Sequence, residues 1–218
     1  MQTIVINSQK GGSGKTMLCK HLAVEAERVG DGPVFLIDTD PQATLTGWHA
    51  KREADTPARV DLDFDGLEKG LALIRAHGAA YCIIDTGSGR LDIAAELFKL
   101  ADLVLFPVQP SEDDLSAVPV TVRSLKGVGA PFVFVLTRVK SNTLITAQAA
   151  AILSKHGQVA ETFVADRTAY KSPYAKGVTI TEAEPRGPAA QEIASLWENI
   201  KSCLHDGMQQ PEELETYG

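Results

Sequence analysis

Seven residues, Lys10-Gly11-Gly12-Ser13-Gly14-Lys15-Thr16, stand between a β-branched run at Thr3–Asn7 and an apolar-periodic stretch at Lys15–Val29. Clustered glycines permit a tight backbone nest whose N–H groups converge on an anion at the start of the next helix. Strand, glycine turn and helix in that order place a nucleotide polyphosphate in the first β–α crossover. Lys15 is expected to reach the β- and γ-phosphates, and the Thr16 hydroxyl to ligate Mg²⁺. A side chain at Gly11 or Gly12 is expected to block the phosphate. Ser13, Gly14 and Met17 complete the nucleotide-binding stretch.

The rest of the chain repeats the strand–helix alternation. Strands are expected at Val34–Ile37, Arg59–Asp63, Tyr81–Ile84, Leu103–Val108, Phe132–Thr137 and Ala160–Val164. Helices are expected at Ala43–Arg52, Leu67–His77, Leu91–Leu100, Thr146–His156 and Ala189–Leu204. In the last, Ile193, Trp197, Ile200 and Leu204 recur at helical spacing, a stripe suited to covering one face of a sheet. Ser111 with Glu112, Asp113 and Asp114 starts a further helix, which Pro119 should kink or restart. The alternation predicts an α/β fold, a doubly wound, mostly parallel sheet with helices on both faces. Its ligands bind outside the carboxyl ends of the strands. A chain of 218 residues fits one such domain. That domain is expected over residues 1–206, with a flexible acidic tail over 207–218.

Composition narrows the class. With 44% hydrophobic and 22% charged residues the chain can bury a core, and a net charge of -7 argues against general nucleic-acid affinity without a local basic patch. Cys19, Cys82 and Cys203 are scattered and read as unpaired thiols of a reducing compartment. The amino terminus lacks a basic segment leading into an apolar one, and no stretch is long and apolar enough to span a bilayer, so a cytoplasmic protein is expected.

Two further segments carry carboxylates at strand ends. Phe35-Leu36-Ile37-Asp38-Thr39-Asp40-Pro41-Gln42 puts Asp38 and Asp40 on one side if the strand persists. One then serves Mg²⁺ and the other orients an attacking water, although Asp-Pro alone is also common turn chemistry. Tyr81-Cys82-Ile83-Ile84-Asp85-Thr86 is an apolar strand ending in an aspartate suited to the Mg²⁺ shell.

Gln9 occupies the position where the common phosphate loop has its first glycine, and Lys10 follows it. Lys-Gly-Gly-Ser-Gly-Lys-Thr therefore resembles the deviant Walker A box of the ParA/MinD group of P-loop NTPases, and Asp-x-Asp-Pro-Gln resembles the ParA-type first switch. The resemblance implies a catalytic set of Lys10, Lys15 and Asp40. Lys10 would cross a dimer interface to the other subunit's ATP, and Asp40 would position the hydrolytic water. It implies a metal set of Thr16, Asp38 and Asp85, and adenine-side positions at Thr137, Arg138 and Pro173. Gly87-Ser88-Gly89 replaces the two prolines common in the family, which matches its shorter, plasmid-type members better.

Within that group, a small ParA-type partition or positioning ATPase is expected. It would hydrolyse ATP to ADP and phosphate, and form a homodimer with ATP. Non-specific DNA binding would place it on the nucleoid, and a ParB-like or other partner protein would stimulate its turnover. The acidic carboxyl terminus argues against a basic membrane helix and so against a MinD-like regulator. The cysteines do not suit an iron-protein reductase. A P-loop synthetase would leave Lys10 and Asp-Pro-Gln unexplained, yet stays an alternative, as does the MinD-like role. The loop begins near residue 10, which leaves no expected room for an operator-binding helix-turn-helix domain. Arg167, Lys171, Lys176, Arg186 and Lys201 are the basic candidates for a DNA surface.

Overall fold

The computed structural model describes residues 1–62, 64–89, 91–140, 143–170 and 177–208. Strands β1 (Gln2–Ile6), β2 (Val34–Asp38), β3 (Ala58–Arg59), β4 (Tyr81–Asp85), β5 (Leu103–Val108), β6 (Phe132–Leu136) and β7 (Gln158–Val159) form one sheet. Their order is β3-β2-β4-β1-β5-β6-β7, and each named pair is parallel. Helices α1 (Lys15–Val29), α2 (Thr44–His49), α3 (Leu67–Ala76), α4 (Leu91–Lys99), α5 (Glu112–Gly127), α6 (Leu144–Leu153), α7 (Ile180–Ala183) and α8 (Pro188–Met208) connect and follow the strands.

Side-chain alternation sorts the core into layers. Ile4 and Ile6 of β1 and Ile83 of β4 face a cluster that includes Leu18 and Leu22 of α1 and Ile193, Trp197, Ile200 and Leu204 of α8. Val5, Cys82 and Ile84 point the other way, into a cluster with Leu67, Leu71 and Ile74 of α3 and Leu97 and Phe98 of α4. Phe106 and Phe134 meet edge-on at 5.8 Å and pack with Val118 and Val122 of α5 and Leu153 of α6. The apolar stripe of α8 covers one sheet face as expected. Trp197 is fully buried there, its indole N–H donating to Asp31 Oδ2 at 2.7 Å while Tyr81 packs edge-on at 4.9 Å.

The structure departs from the sequence reading at three places. The last strand is Gln158–Val159, not Ala160–Val164. Ala160 and Val164 each donate a backbone hydrogen bond to β6, but Thr162 N–H between them turns to Asn199 Oδ1 of α8, so the chain bows out instead of continuing the ladder. The strand expected at Arg59–Asp63 is the two residues Ala58–Arg59. Helix α5 runs through Pro119 without a restart, capped by the Ser111 hydroxyl and held by buried Val118, Thr121, Val122 and Leu125. Packing of that face offsets the one backbone bond that proline removes.

Helix α7 escaped the sequence reading. It is closed by a capping box between Thr179 and Glu182. Both guanidinium nitrogens of Arg52, just past α2, reach the Glu182 carboxylate at 3.0 and 2.7 Å, and Nη1 also donates to Gly177 O at 3.0 Å. The same guanidinium lies 5.4 Å from the Trp48 ring centre.

Behind this clamp His21 of α1 is 2% exposed. Its Nε2 accepts from Ile180 N–H at 3.4 Å, so Nδ1 carries the proton and donates to Met17 O at 2.8 Å. Burial, with Lys20 adding, pushes the His21 pKa down to about 3. The folded chain thus holds His21 neutral in a range where the unfolded chain protonates it, and stability contributed by this site falls as pH drops below about 6.5. Unfolding free energy from denaturant titration should fall by about 2 kcal/mol between pH 7 and pH 5 through His21 alone. A His21→Asn variant should lack that component, and an unchanged pH dependence in the variant would refute the assignment.

Candidate functional site

Parallel register brings the carboxylates together. Asp85 pairs with Ile6 on one side and with Asp38 on the other, so all three mark the carboxyl ends of adjacent strands. The glycine loop leaves β1 immediately beyond, at Asn7 and Ser8. Buried Asn7 donates to Thr86 Oγ1 at 2.9 Å, and Thr86 donates to Ile6 O at 2.9 Å, which ties the two strand ends. Ser8 and Ser13 share a 2.5 Å hydroxyl contact across the base of the loop.

Within the loop the backbone's demand for glycine falls on positions 12 and 14. Gly12 has φ 76° and Gly14 φ 105°, both in the left-handed region that other residues enter at a cost. A Cβ at Gly11 would meet nothing within 4 Å, so the protein itself does not forbid a side chain there. Gln9 is an anchor: its amide donates to the buried Thr121 hydroxyl of α5 at 2.7 Å. Gln109 donates to Gly12 O at 3.2 Å and Thr137 to Ser13 O at 2.7 Å, so the residues just past β5 and β6 brace the loop's carbonyls.

The loop opens on a cleft of about 650 Å³ lined by Gly11, Gly12, Gly14, Lys15, Thr16, Met17, Asp40, Pro41, Gln42, Thr44, Gly87, Ser88 and Arg138. Lys15 is 6% exposed, and its ammonium donates to Ser88 Oγ at 2.6 Å. Burial lowers its pKa, against the opposing pull of Asp85 and Asp40. Ser88 was unassigned in the sequence reading. Its signal was the serine between two glycines where the resemblance led one to expect prolines.

Thr16 donates to Asp85 Oδ2 at 2.5 Å, while Asp85 Oδ1 is buried with no hydrogen-bond partner among the described residues. Burial pushes the Asp85 pKa up to about 7, with Asp38 and Asp40 adding and Thr16 and Lys15 opposing. A fully buried carboxylate oxygen without a donor, beside a hydroxyl and a second carboxylate, suits a hard divalent cation. Among the described residues no three His, Cys, Asp or Glu side chains converge as a metal cage. Mg²⁺ characteristically uses one or two carboxylates together with substrate phosphates, so this donor set fits it with a nucleotide present.

Strand β2 ends at Asp38 and does not persist to Asp40. Asp38 Oδ2 instead accepts from Thr46 N and Oγ1, at 2.8 and 2.9 Å, and Oδ1 accepts from Asp40 N at 3.1 Å. Asp38 therefore holds the first turn of α2. Asp40 accepts from Gln42 N at 3.0 Å in a local turn and faces the cleft.

Lys10 lies elsewhere. Its ammonium is 3.5 Å from Asp113 Oδ2 at the start of α5 and does not line the cleft of its own loop. A second lobe of about 180 Å³ adjoins the first and is lined by Gly14, Met17, Thr137, Arg138, Val164, Ala165, Asp166, Arg167 and Tyr170. Pro173, Lys171 and Lys176 lie outside the described residues. Of the other basic candidates, Arg167 pairs with Glu192 at 2.6 Å, Lys201 with Asp31 and Glu198 at 2.9 Å each, and Arg186 is exposed. Arg167 sits by the cleft and Lys201 by the residues preceding β2, at the other end of the sheet, so these two do not form one patch. Cys19 and Cys82 are buried free thiols; burial, and for Cys19 also Asp85, pushes their pKa values up. No helix among the described residues is long and apolar enough to cross a membrane.

Comparison with known proteins agrees with this geometry. The chain is 26% identical over 208 residues to the maintenance of carboxysome distribution protein A of Halothiobacillus neapolitanus, covering 91% of this chain and 95% of that one. Among solved structures, a putative plasmid partition protein from Borrelia burgdorferi bound to AMPPNP superposes with a TM-score of 0.72 at 16% identity, covering 92% of this chain and 98% of the other. The MinC:MinD cell division protein complex of Aquifex aeolicus gives a TM-score of 0.75 at 19% identity over 100% of both chains. Residues 4–180 match the CobQ/CobB/MinD/ParA nucleotide binding domain, which holds the β1–loop–α1 unit and all three aspartates, and the chain belongs to that family.

Proposed function

We propose that this protein is a partition or positioning ATPase of the small ParA type, acting as one domain over residues 1–206 and closing into a dimer around Mg-ATP. The observation that carries the reading is the division of labour between two lysines of one loop. Lys15 enters the cleft, whereas Lys10 stands outside it against exposed Asp113. A cation on a phosphate loop that does not serve its own phosphates is free to serve those of a second copy. An exposed pair at 3.5 Å contributes at most about 1 kcal/mol, so leaving Asp113 costs little.

In this reading Gly11–Gly14 wrap the phosphates, Lys15 leaves Ser88 for the γ-phosphate, and Thr16 turns its hydroxyl to the metal with Asp85. Bound Mg²⁺ would neutralise phosphate charge and draw the Asp85 carboxylate into its ionised form. Asp40, at the cleft wall, would align the attacking water. Lys10 from the second copy would stabilise the developing charge, coupling nucleotide occupancy to association. Hydrolysis would remove that coupling and release the pair. The relatives' roles in carboxysome distribution and plasmid partition, as their names give them, support a positioning role, with a DNA scaffold and a stimulating partner as its other components.

Lys15→Gln should weaken ATP binding by roughly tenfold to a hundredfold or more, the worth of a lost charged hydrogen bond, as read by calorimetry. Asp40→Ala should bind ATP, hydrolyse it at a small fraction of the parent rate, and elute as a dimer from a sizing column with ATP. Adding Lys10→Ala to it should return the protein to a monomer while leaving ATP affinity within about threefold. An Asp40→Ala protein that stays monomeric at saturating ATP defeats the dimer reading.

Duplex DNA of arbitrary sequence should be retained on filters with ATP and not with ADP, with affinity falling steeply as salt rises. Equal weak retention in both states removes DNA from the proposal. Substituting Arg186 should reduce retention more than substituting Lys201, whose charge is already shared by two carboxylates.

A further inference from the structure

Arg138 follows Thr137 at the end of β6 and holds its backbone at φ 52°. Among the described residues only Ala43 shares a positive φ without being glycine. A left-handed conformation is strained for an L-residue, and glycine would escape that strain. The turn itself has a use that glycine would serve equally: Thr137 Oγ1 braces Ser13 O, and Val139 N–H returns to Val164 O at 3.1 Å. The turn therefore explains the backbone and leaves the guanidinium unexplained.

The guanidinium has a defined place. Its Nη2 lies 3.7 Å from where a Cβ on Gly12 would stand, so it overhangs the glycine loop, and it lines both lobes of the cleft. Among the described residues no carboxylate or carbonyl pairs with it. Arg28, Arg52, Arg59 and Arg167 each hold an acid, and of the described arginines that do not, Arg138 is the one that lines the cleft. Arg138 is thus an exposed, uncompensated, five-donor cation over a loop built to receive an anion.

We infer that Arg138 is a polyphosphate-binding residue, forking onto phosphate oxygens from the side of the loop opposite Asp85, and is not a contact to the adenine. The inference rests on the nucleotide reading above and refines it. Thr137, also expected on the adenine side, acts through the loop carbonyl. The strained turn is retained because it aims the side chain back over Gly12, a direction that an extended continuation of β6 would not give.

The test uses the full chain with Arg138→Gly, which removes cation and strain together, and Arg138→Lys, which keeps a charge but not the fork. Affinities are measured for ATP directly and for inorganic tripolyphosphate by displacement of a fluorescent ATP analogue, at low and high salt. Arg138→Gly should melt at or above the parent temperature, yet bind both ligands about tenfold to a hundredfold more weakly. The fold loss should be the same for the two ligands and shrink at high salt. Arg138→Lys should recover part of it. A loss for ATP with tripolyphosphate unchanged would overturn the inference in favour of a base contact. No loss for either would overturn it in favour of a turn residue alone. A parent protein that binds no ATP would instead bring down the nucleotide reading, which Lys15→Gln tests separately.

Discussion

The hydroxyl of Thr16 on the carboxylate of Asp85 is the contact from which the rest of the site takes its position. It fastens the first turn of α1 to the end of β4, and the loop must close between them. Because β4 lies between β1 and β2 in matched register, the same contact also fixes how near Asp38 stands. The arrangement is uncomfortable in the absence of a cation. Among the described residues one oxygen of Asp85 has a donor and the other has none, and burial drives the group toward its neutral form. The fold thus leaves at this point a demand for positive charge, which the proposed metal–nucleotide pair would meet.

The second carboxylate segment is organised from the opposite direction. Asp38 is held by Thr46 in α2, and the residues just past α2 are held by Arg52 to Glu182 and Gly177. A continuous set of contacts therefore runs from the cleft wall at Asp40 through α2 to α7, whose cap precedes α8. Glu182 serves both the cap of α7 and the Arg52 guanidinium, so neither is independent of the other.

Much of this was legible in the chain and some was not, for physical reasons. Continuous β-branched and apolar runs marked β1, β4 and β5, which are buried on both faces, and the 3.6-residue pattern marked the one-sided stripe of α8, since the hydrophobic pattern records burial. The gathering of the loop and the three aspartates at the carboxyl ends of the strands was legible because the proposed phosphate and metal chemistry would demand particular residues at particular spacings. The shift of the last strand was hidden: Ala160 and Val164 are apolar because α8 and β6 bury them, and burial in a bowed segment looks like burial in a strand. Ser88, Gln109 and the Arg52 clamp join residues far apart in the chain, which no local pattern encodes. Arg138 carries a left-handed backbone without a glycine to announce it.

The two flanking strands, β3 and β7, are two residues each, while the five between them have five or six. A ribbon so abbreviated at both margins presents too few free backbone donors and acceptors to recruit another ribbon alongside it. Open-ended stacking of copies into a continuous sheet is thereby discouraged, which leaves the rim of crossover loops for the proposed pairing. In the proposed reading, association there would be made and unmade by a small charged molecule without disturbing the hydrogen-bonded scaffold beneath.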